Sequence, residues 1–438
     1  MTVEELYKEF VLSEGISTDT RQDLKGTIFF ALKGERFDGN RYVKDALEAG
    51  CRLAVTELKE LEGKDGFCYT PSALALLQDL ATHHRKQAAP QVLAITGSNG
   101  KTTTKELTAA VLSRRYKVLA TKGNLNNHIG VPLTLLSIKG EDIAVVEMGA
   151  NHPGEIAELA LIASPNVGLI TNVGKAHLEG FGSLEGVLNA KGELYEYLAE
   201  SGGEAIVDGE DEVLLEKASS TGVSVLKAGA NGVLPVSLHL IKQAPFLELE
   251  LKVGEAKFPV RTHLVGAYNL QNIKLAAACG LKFGVPVQEI AEAIASYKPE
   301  NQRSQLVEGA ENRLIMDSYN ANPTSVREAV SGLTAYAAMP TMVILGDMAE
   351  LGPASADEHM ALVEWLRSLS LDQILLVGPQ FSQVCEPSED LLVFREIDAL
   401  EAHLKKQPPR GFTILLKGSR VMGLERLEPL LVRITNNQ

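Results

Sequence analysis

The strongest constraint on the fold lies in "AITGSNGKTTTKEL", residues 94–107. The apolar run "QVLAIT" reads as a buried strand ending at Thr96, and a glycine turn then delivers the chain into a helix predicted over Lys101 to Ser113. Strand, tight turn and helix in that order make the unit of a nucleotide-binding α/β sheet. Such a turn aims backbone N–H groups and a helix N-terminus at one spot, where negative charge is favoured. Phosphate is therefore the expected ligand of Gly97, Ser98, Asn99, Gly100 and Thr103, with Lys101 pairing with the terminal phosphates and the Thr102 hydroxyl reaching a bridging magnesium ion. The full P-loop pattern has an earlier glycine where this chain has Ile95, so the loop is a shortened variant. Without a ligand the same residues would be a glycine-rich turn with a surface lysine.

More short apolar runs follow, "DIAVVEMG" and "NVGLITNVG", each separated by helical stretches, which is the pattern of a parallel sheet covered on both faces. Residues 204–262 change character: apolar and polar residues alternate between turn signals, as in an antiparallel β meander appended to that sheet. After "YKPENQRS" the α/β pattern restarts with "LIMDSYNANP", "TMVILGD", "QILLVG" and "FTILLKGSR". Before the loop, short strands such as "TIFFAL" and "RLAVTE" sit among helices, and "KQAAP" reads as a linker. The expectation is an α/β chain of three domains, residues 1–86, 87–299 and 300–438, the last Rossmann-like.

Composition narrows the function. A formal charge of −14 argues against general nucleic-acid binding, which needs Lys and Arg against phosphates. No apolar run is long enough to span a membrane, and the opening "MTVEELYKEF" is too acidic for a secretory signal. The four cysteines, Cys51, Cys68, Cys279 and Cys385, lack the close pairs of a zinc or redox motif and fit reduced thiols in a cytoplasm.

Other polar residues fall where open α/β sheets bind ligands, at strand C-termini. Glu147 ends the apolar run "VVE" and offers the hard oxygen that magnesium requires, or else is a solvated strand end. His177, in "NVGKAHLEGFGS", follows the next strand and could reach the same crevice, although a lone histidine is more often a hydrogen-bonded loop residue. In "SLEGVLNAKGELYEYL" the residues Leu184, Val187, Leu188, Leu194, Tyr195 and Leu198 form one helical stripe, and Lys191 lies within it. An inward lysine loses its proton more easily, and a neutral amine can take up carbon dioxide to give a carbamate, an anionic magnesium ligand. The alternative is a lysine whose stem packs while its head reaches water. Asn269 and Asn272 open an apolar helix, which they could cap, or they could present amides to an adenine ring. Asp317, Asp347, Glu350, Lys417, Ser419 and Arg420 stand at strand ends of the third block and suggest the second face of an interdomain site.

Taken in order, "STDTR", "FDGN", "GSNGKTTTKE", "GNLNNHIGVPLTLL", "EMGANHPGEI", "NVGKAHLEGFGSLEGVLNAKGE", "DSYNANP", "GDMAELG" and "LLKGSRVMGLE" resemble the Mur ligases over essentially the whole chain. The resemblance implies a small α/β nucleotide-sugar-binding domain, a central P-loop ATPase-like parallel sheet with an antiparallel β extension, and a C-terminal Rossmann-like domain that binds the incoming dipeptide and closes over ATP. It implies a peptide ligase of cell-wall synthesis that acts as a cytoplasmic monomer. ATP phosphorylates the terminal carboxylate of UDP-N-acetylmuramoyl-tripeptide, and the amine of D-alanyl-D-alanine then attacks. By the same resemblance Lys101 and Thr102 grip the phosphates, Thr102, Glu147, His177 and a carbamylated Lys191 hold magnesium, Asn269 and Asp317 contact the nucleoside, and Arg303 reaches a nucleotide phosphate. Asp19, Thr20 and Arg21 lie near the uridine sugar, with Lys417 and Ser419 on the substrate side. Asn40 replaces a histidine common in relatives, and Asp208 and Gly209 stand where relatives show an asparagine followed by acidic residues. The DNPR motif of diaminopimelate-adding relatives is missing, with "DMAELG" in its region, which favours dipeptide addition. Two other readings are a folate polyglutamylating ligase, which lacks "STDTR" with "FDGN", and a non-catalytic nucleotide-binding regulator.

Overall fold

In the computed structural model, described for residues 1–34, 37–299, 303–334 and 340–432, the strands gather into four sheets. The central sheet has six strands, all parallel, in the spatial order Ser224–Ala228, Glu204–Asp208, Val167–Ile170, Gln91–Thr96, Ile143–Glu147 and Val118–Ala120. Its first strand in sequence, Gln91–Thr96, stands in the middle; the chain next forms the edge strand Val118–Ala120, returns to insert Ile143–Glu147 between those two, and then builds outward on the other side. The strand order reverses at Gln91–Thr96, which opens a crevice at the carboxyl ends of that strand and Val167–Ile170. Residues 92–95 are fully buried, as a strand covered on both faces requires.

The third sheet also has six strands. Gln305–Glu308 pairs antiparallel with Arg313–Asp317, and the others, Thr413–Lys417, Thr341–Gly346, Gln373–Val377 and Leu391–Phe394, follow in parallel. The amino-terminal sheet is a small parallel one of four strands, Ile16–Ser17, Ile28–Phe30, Leu53–Thr56 and Phe67–Tyr69.

Three expectations need correction. "KQAAP" is no linker along most of its length, because the helix Ala73–Ala88 runs through it and ends at Ala89 in left-handed backbone. That helix buries Leu77, Leu80 and Ala81 in one apolar core with Val92, Leu135 and Ile156 of the central unit, so the boundary drawn after residue 86 cuts a helix and a shared core. The boundary drawn at 300 falls on residues 300–302, outside the described ones. The antiparallel character does not begin at 204: Glu204–Asp208 and Ser224–Ala228 extend the parallel sheet, with the helix Glu212–Thr221 between them. Only Val236–Lys242, Glu248–Val253 and Ala256–Arg261 form the meander, and they make a separate sheet rather than an appendage of the central one. A parallel strand at a sheet edge is partly exposed, as Ser224–Ala228 is, and so resembles the exposed strands of an antiparallel sheet.

Candidate active site

The glycine turn is shaped by its neighbours as much as by its own sequence. Gly97 has φ +141° and a Cβ there would sit 2.0 Å from Thr171 Oγ1; Gly100 has φ +76° and a Cβ there would meet Asn272 Oδ1 at 2.2 Å. Both glycines are thus needed for backbone conformation and for close approach. The loop is tied to the adjacent strand end: Ser98 N donates to Asn172 O at 3.0 Å, Asn99 N donates to Asn172 Oδ1 at 2.9 Å, and Thr171 Oγ1 donates to Asn99 O at 2.6 Å. The helix that follows is Lys101–Leu112, with Gly100 as its left-handed N-cap and no side chain capping it. Its first N–H groups are left to whatever binds in the loop.

A cleft of about 410 Å³ opens in front of this loop. It is lined by Ser98, Asn99, Gly100, Lys101 and Thr103 of the loop, by Glu147, His177 and Asn269 of the central unit, and on the third unit's side by Arg303, Asp317 and Lys417. The Lys101 ammonium folds back onto Gly97 O at 2.7 Å and Ser98 O at 3.1 Å. Desolvation in the cleft pushes its pKa down to about 8, against the pull of Glu147 and with the push of Arg303.

Glu147 is 1% exposed, with Thr102 Oγ1 donating to its Oε2 at 2.8 Å and Asn126 Nδ2 donating to its Oε1 at 2.8 Å. A buried carboxylate held by a hydroxyl and an amide, both neutral, beside a phosphate loop suits magnesium, which takes one or two carboxylates together with phosphate oxygens and waters. His177 stands at φ +52° with its Nδ1 2.6 Å from Glu350 Oε2, a close contact rather than an aligned hydrogen bond.

Lys191 lies just behind the cleft wall. It is 1% exposed, its Nζ donates to Ala150 O at 3.3 Å, and the Phe181 ring centroid is 5.1 Å away. Ala150 itself faces the cleft. Burial is the main cause that pushes the Lys191 pKa down to about 7, the Lys101 charge adds to it, and Glu155 and Glu193 oppose it. The stripe that predicted this placement is correct at Val187, Leu194, Tyr195 and Leu198, all fully buried, but its first member Leu184 is 49% exposed. Leu184 opens the helix Leu184–Ser201, before the core covers that face.

On the third unit's side Lys417 Nζ donates to Asp317 Oδ2 at 2.7 Å, and the Arg303 guanidinium lies over the Tyr319 ring at 3.8 Å. Asn269 and Asn272 do not cap their helix, whose N-cap is Tyr268 without a side-chain bond. Asn269 Nδ2 donates to Val265 O at 2.8 Å, and Asn272 bridges Asn269 Oδ1 at 2.8 Å to Thr104 Oγ1 at 3.1 Å.

Some predicted residues are not brought to the cleft. Ser419 Oγ accepts from Ala349 N at 2.7 Å, and Asp347 accepts from Gln380 N at 2.8 Å and Phe381 N at 3.0 Å, so both brace the loop that carries Glu350. Asp19, Thr20 and Arg21 follow the first strand of the amino-terminal sheet, on the same carboxyl edge as Asn40. Arg21 forms a two-pronged pair with Asp19 that holds the Asp19 pKa down to about 2. Asn40 is buried and accepts from Thr56 Oγ1 and Glu57 N, both at 2.8 Å, which ties neighbouring strand ends together. Asp208 pairs with the Lys274 ammonium at 2.7 Å. The sequence reading assigned no role to Asn126, Asn172 or Asn322, whose Nδ2 donates to Asn99 Oδ1 at 2.7 Å across the seam between the central and third sheets. The signal for them was asparagine at successive strand and helix ends.

Residues 95–280 match the Mur ligase middle domain, and residues 302–420 match the Mur ligase, glutamate ligase domain. The UDP-N-acetylmuramoyl-tripeptide--D-alanyl-D-alanine ligase of Escherichia coli (strain K12) is 36% identical over 440 residues, covering 97% of this chain and 94% of that one. The chain belongs to the Mur ligase family. Among solved Mur ligases, MurF from Acinetobacter baumannii matches at a TM-score of 0.86 and 33% identity, covering 98% of each chain. MurF ligase from Thermotoga maritima, solved in complex with ADP, matches at 0.84 and 27%, covering 96% of this chain and 97% of that one. This Mur ligase therefore has the multi-domain α/β architecture of those structures. Among its described residues no helix is long and apolar enough to cross a membrane.

Proposed function

We propose that this Mur ligase joins D-alanyl-D-alanine to the terminal carboxylate of UDP-N-acetylmuramoyl-tripeptide, with ATP converted to ADP and phosphate through an acyl phosphate of the tripeptide. The observation that carries this reading is that one cleft joins the phosphate loop, the Thr102–Glu147 pair and the Asp317–Lys417 pair. The likeness over 97% of the chain includes "STDTR" and "FDGN", so the folate-type alternative is not favoured.

The reaction brings a carboxylate to a triphosphate, and those charges repel. Lys101 and the helix N-terminus behind Gly100 offset the charge on the terminal phosphates, and Arg303 and Lys417 add positive charge on the facing flank. Thr102, Glu147 and His177 would hold magnesium, which supplies Lewis-acid stabilisation of the charge developing on the transferred group. Lys191, whose pKa burial pushes down to about 7, is suited to carbamate formation and would then add an anionic oxygen at the same cation. Asn269 and Asp317, which line the cleft, contact the nucleoside. Lys417 lies on the incoming-substrate side, whereas Ser419 acts through the loop it braces. Asp19, Thr20 and Arg21, at a strand end of the amino-terminal sheet, lie near the uridine sugar. The amino-terminal, central and third units divide these tasks as sugar-nucleotide, ATP and dipeptide domains, the third closing to exclude water from the acyl phosphate. Four buried free cysteines are consistent with a cytoplasmic protein, and we assign it as a monomer.

Purified protein incubated with ATP, magnesium, UDP-N-acetylmuramoyl-tripeptide and D-alanyl-D-alanine is expected to yield a product heavier by one dipeptide residue pair, read by mass spectrometry. Absence of that mass, with ATP bound but not consumed, would instead support a non-catalytic nucleotide-binding protein.

A further inference from the structure

Two residues other than glycine hold left-handed backbone on opposite sides of the seam between the central and third sheets, His177 at φ +52° and Glu350 at φ +64°. L side chains rarely adopt this conformation, and its clustering marks places where surroundings impose geometry for a purpose. The two side chains touch, with His177 Nδ1 2.6 Å from Glu350 Oε2. The backbones touch as well: Glu179 N donates to Glu350 O at 3.2 Å, and a Cβ on Gly352 would lie 3.2 Å from Glu179 Cα.

The loop that carries Glu350 is braced from below. Met348 N donates to Nε2 of the fully buried His359 at 3.0 Å, and His359 Nδ1 is held by Ser355 O at 2.7 Å. Ala349 N donates to Ser419 Oγ at 2.7 Å, and Ser419 N donates to Asp347 O at 3.2 Å. This bracing fixes a backbone whose exposed product is one carboxylate aimed at His177.

We propose that Glu350 is a positioning residue supplied by the third domain: its carboxylate engages Nδ1 of His177, leaves Nε2 for the cleft, and so completes the divalent-cation site only when the third domain is docked. A carboxylate behind a metal-binding imidazole fixes its tautomer and ring orientation and raises its basicity. Here that carboxylate comes from a different sheet, so docking and cation binding are linked: the cation favours the docked arrangement as much as docking favours the cation. This inference rests on the reading of His177 as a cation ligand given under Proposed function.

The test is manganese binding, read by electron paramagnetic resonance on the full chain with ADP present and no tripeptide. Glu350→Gln is expected to weaken Mn2+ binding about tenfold, at the low end of what such carboxylates contribute. Glu350→Gly, at a backbone position that glycine holds without strain, is expected to melt at or above the wild-type temperature and to show the same loss. A Glu350→Gln protein that binds Mn2+ within twofold of wild type would overturn the proposal. Because no tripeptide is involved, weakened binding supports the linkage even if the wild type fails to make the dipeptide product, which would count against the ligase reading alone.

Discussion

At the scale of single residues the proposed carbamate turns on Lys191. Its ammonium is disfavoured because the surrounding helix face is apolar and Lys101 lies near, and both effects push in one direction. The sign is set by that: above pH 7 the amine is mostly neutral and able to take up carbon dioxide, and below it mostly protonated and inert. If the carbamate is removed by dialysis at low pH and dissolved CO2 is then held constant, the initial reactivation rate is expected to be about tenfold higher at pH 8 than at pH 6, the ratio of neutral amine for a pKa near 7. A rate independent of pH would mean the amine is not the group being modified. Replacement Lys191→Ala is expected to abolish turnover, and added short carboxylic acids to restore part of it by filling the vacated space with a carboxylate. An alanine variant with near-normal turnover would remove the carbamate from the mechanism. The lysine was legible in the sequence because a helical stripe has a period, and seven residues return to the same face. That Ala150 O and Phe181 would be its neighbours was not legible, since both come from other segments.

At the scale of elements, the strand, turn and helix around residues 91–112 show how short sequence and long-range packing share the work. The turn demands glycine at position 100 for its positive φ, and position 272 demands it again by filling the space a Cβ would need. These demands separate experimentally. Gly202 ends the helix Leu184–Ser201 at φ +72° with nothing within 4 Å of a Cβ, so Gly202→Ala costs backbone strain alone, about 1 kcal/mol, and leaves ADP binding intact. Gly100→Ala adds a clash with Asn272, so chemical denaturation is expected to show a loss of about 2 to 3 kcal/mol or more, and ADP titration a large fall in affinity. Equal losses in the two variants would show that the close approach to Asn272 relaxes freely. The meander teaches the opposite lesson. Its alternation correctly signalled antiparallel strands at 236–261, but the same alternation at a half-exposed parallel edge carried the reading too far toward residue 204.

At the scale of the whole molecule, side chains of the third unit already reach the central unit among the described residues. Asn322 donates to Asn99 at 2.7 Å, Lys175 pairs with Glu358 at 2.6 Å, and Glu350 meets His177 at 2.6 Å. These pairs are polar and partly exposed, and beside them Val265 and Leu178 of the central unit pack against the apolar core of the third. Such pairs contribute little individually, about 0 to 1 kcal/mol for an exposed one. Bound nucleotide and cation are therefore expected to decide how firmly the units dock. Small-angle X-ray scattering should show a lower radius of gyration when a non-hydrolysable ATP analogue, magnesium and the sugar-nucleotide peptide are all added. An unchanged radius would mean that closure over the acyl phosphate is not part of the cycle.

The linear order of residues determined by itself what repeats locally: which runs are strands, where the loop for phosphate lies, which face of a helix turns inward, and that the parts occur in the order shared by Mur ligases. Those properties depend on neighbours within a few positions, and the chain carries them openly. What only the folded chain decided is which distant residues meet. The asparagine net around Asn99, the bracing of the 347–350 loop by His359 and Ser419, and the encounter of His177 with Glu350 join positions up to 223 residues apart. No periodicity encodes such pairs, because they arise when strands far apart in sequence are packed side by side and present their ends to one crevice.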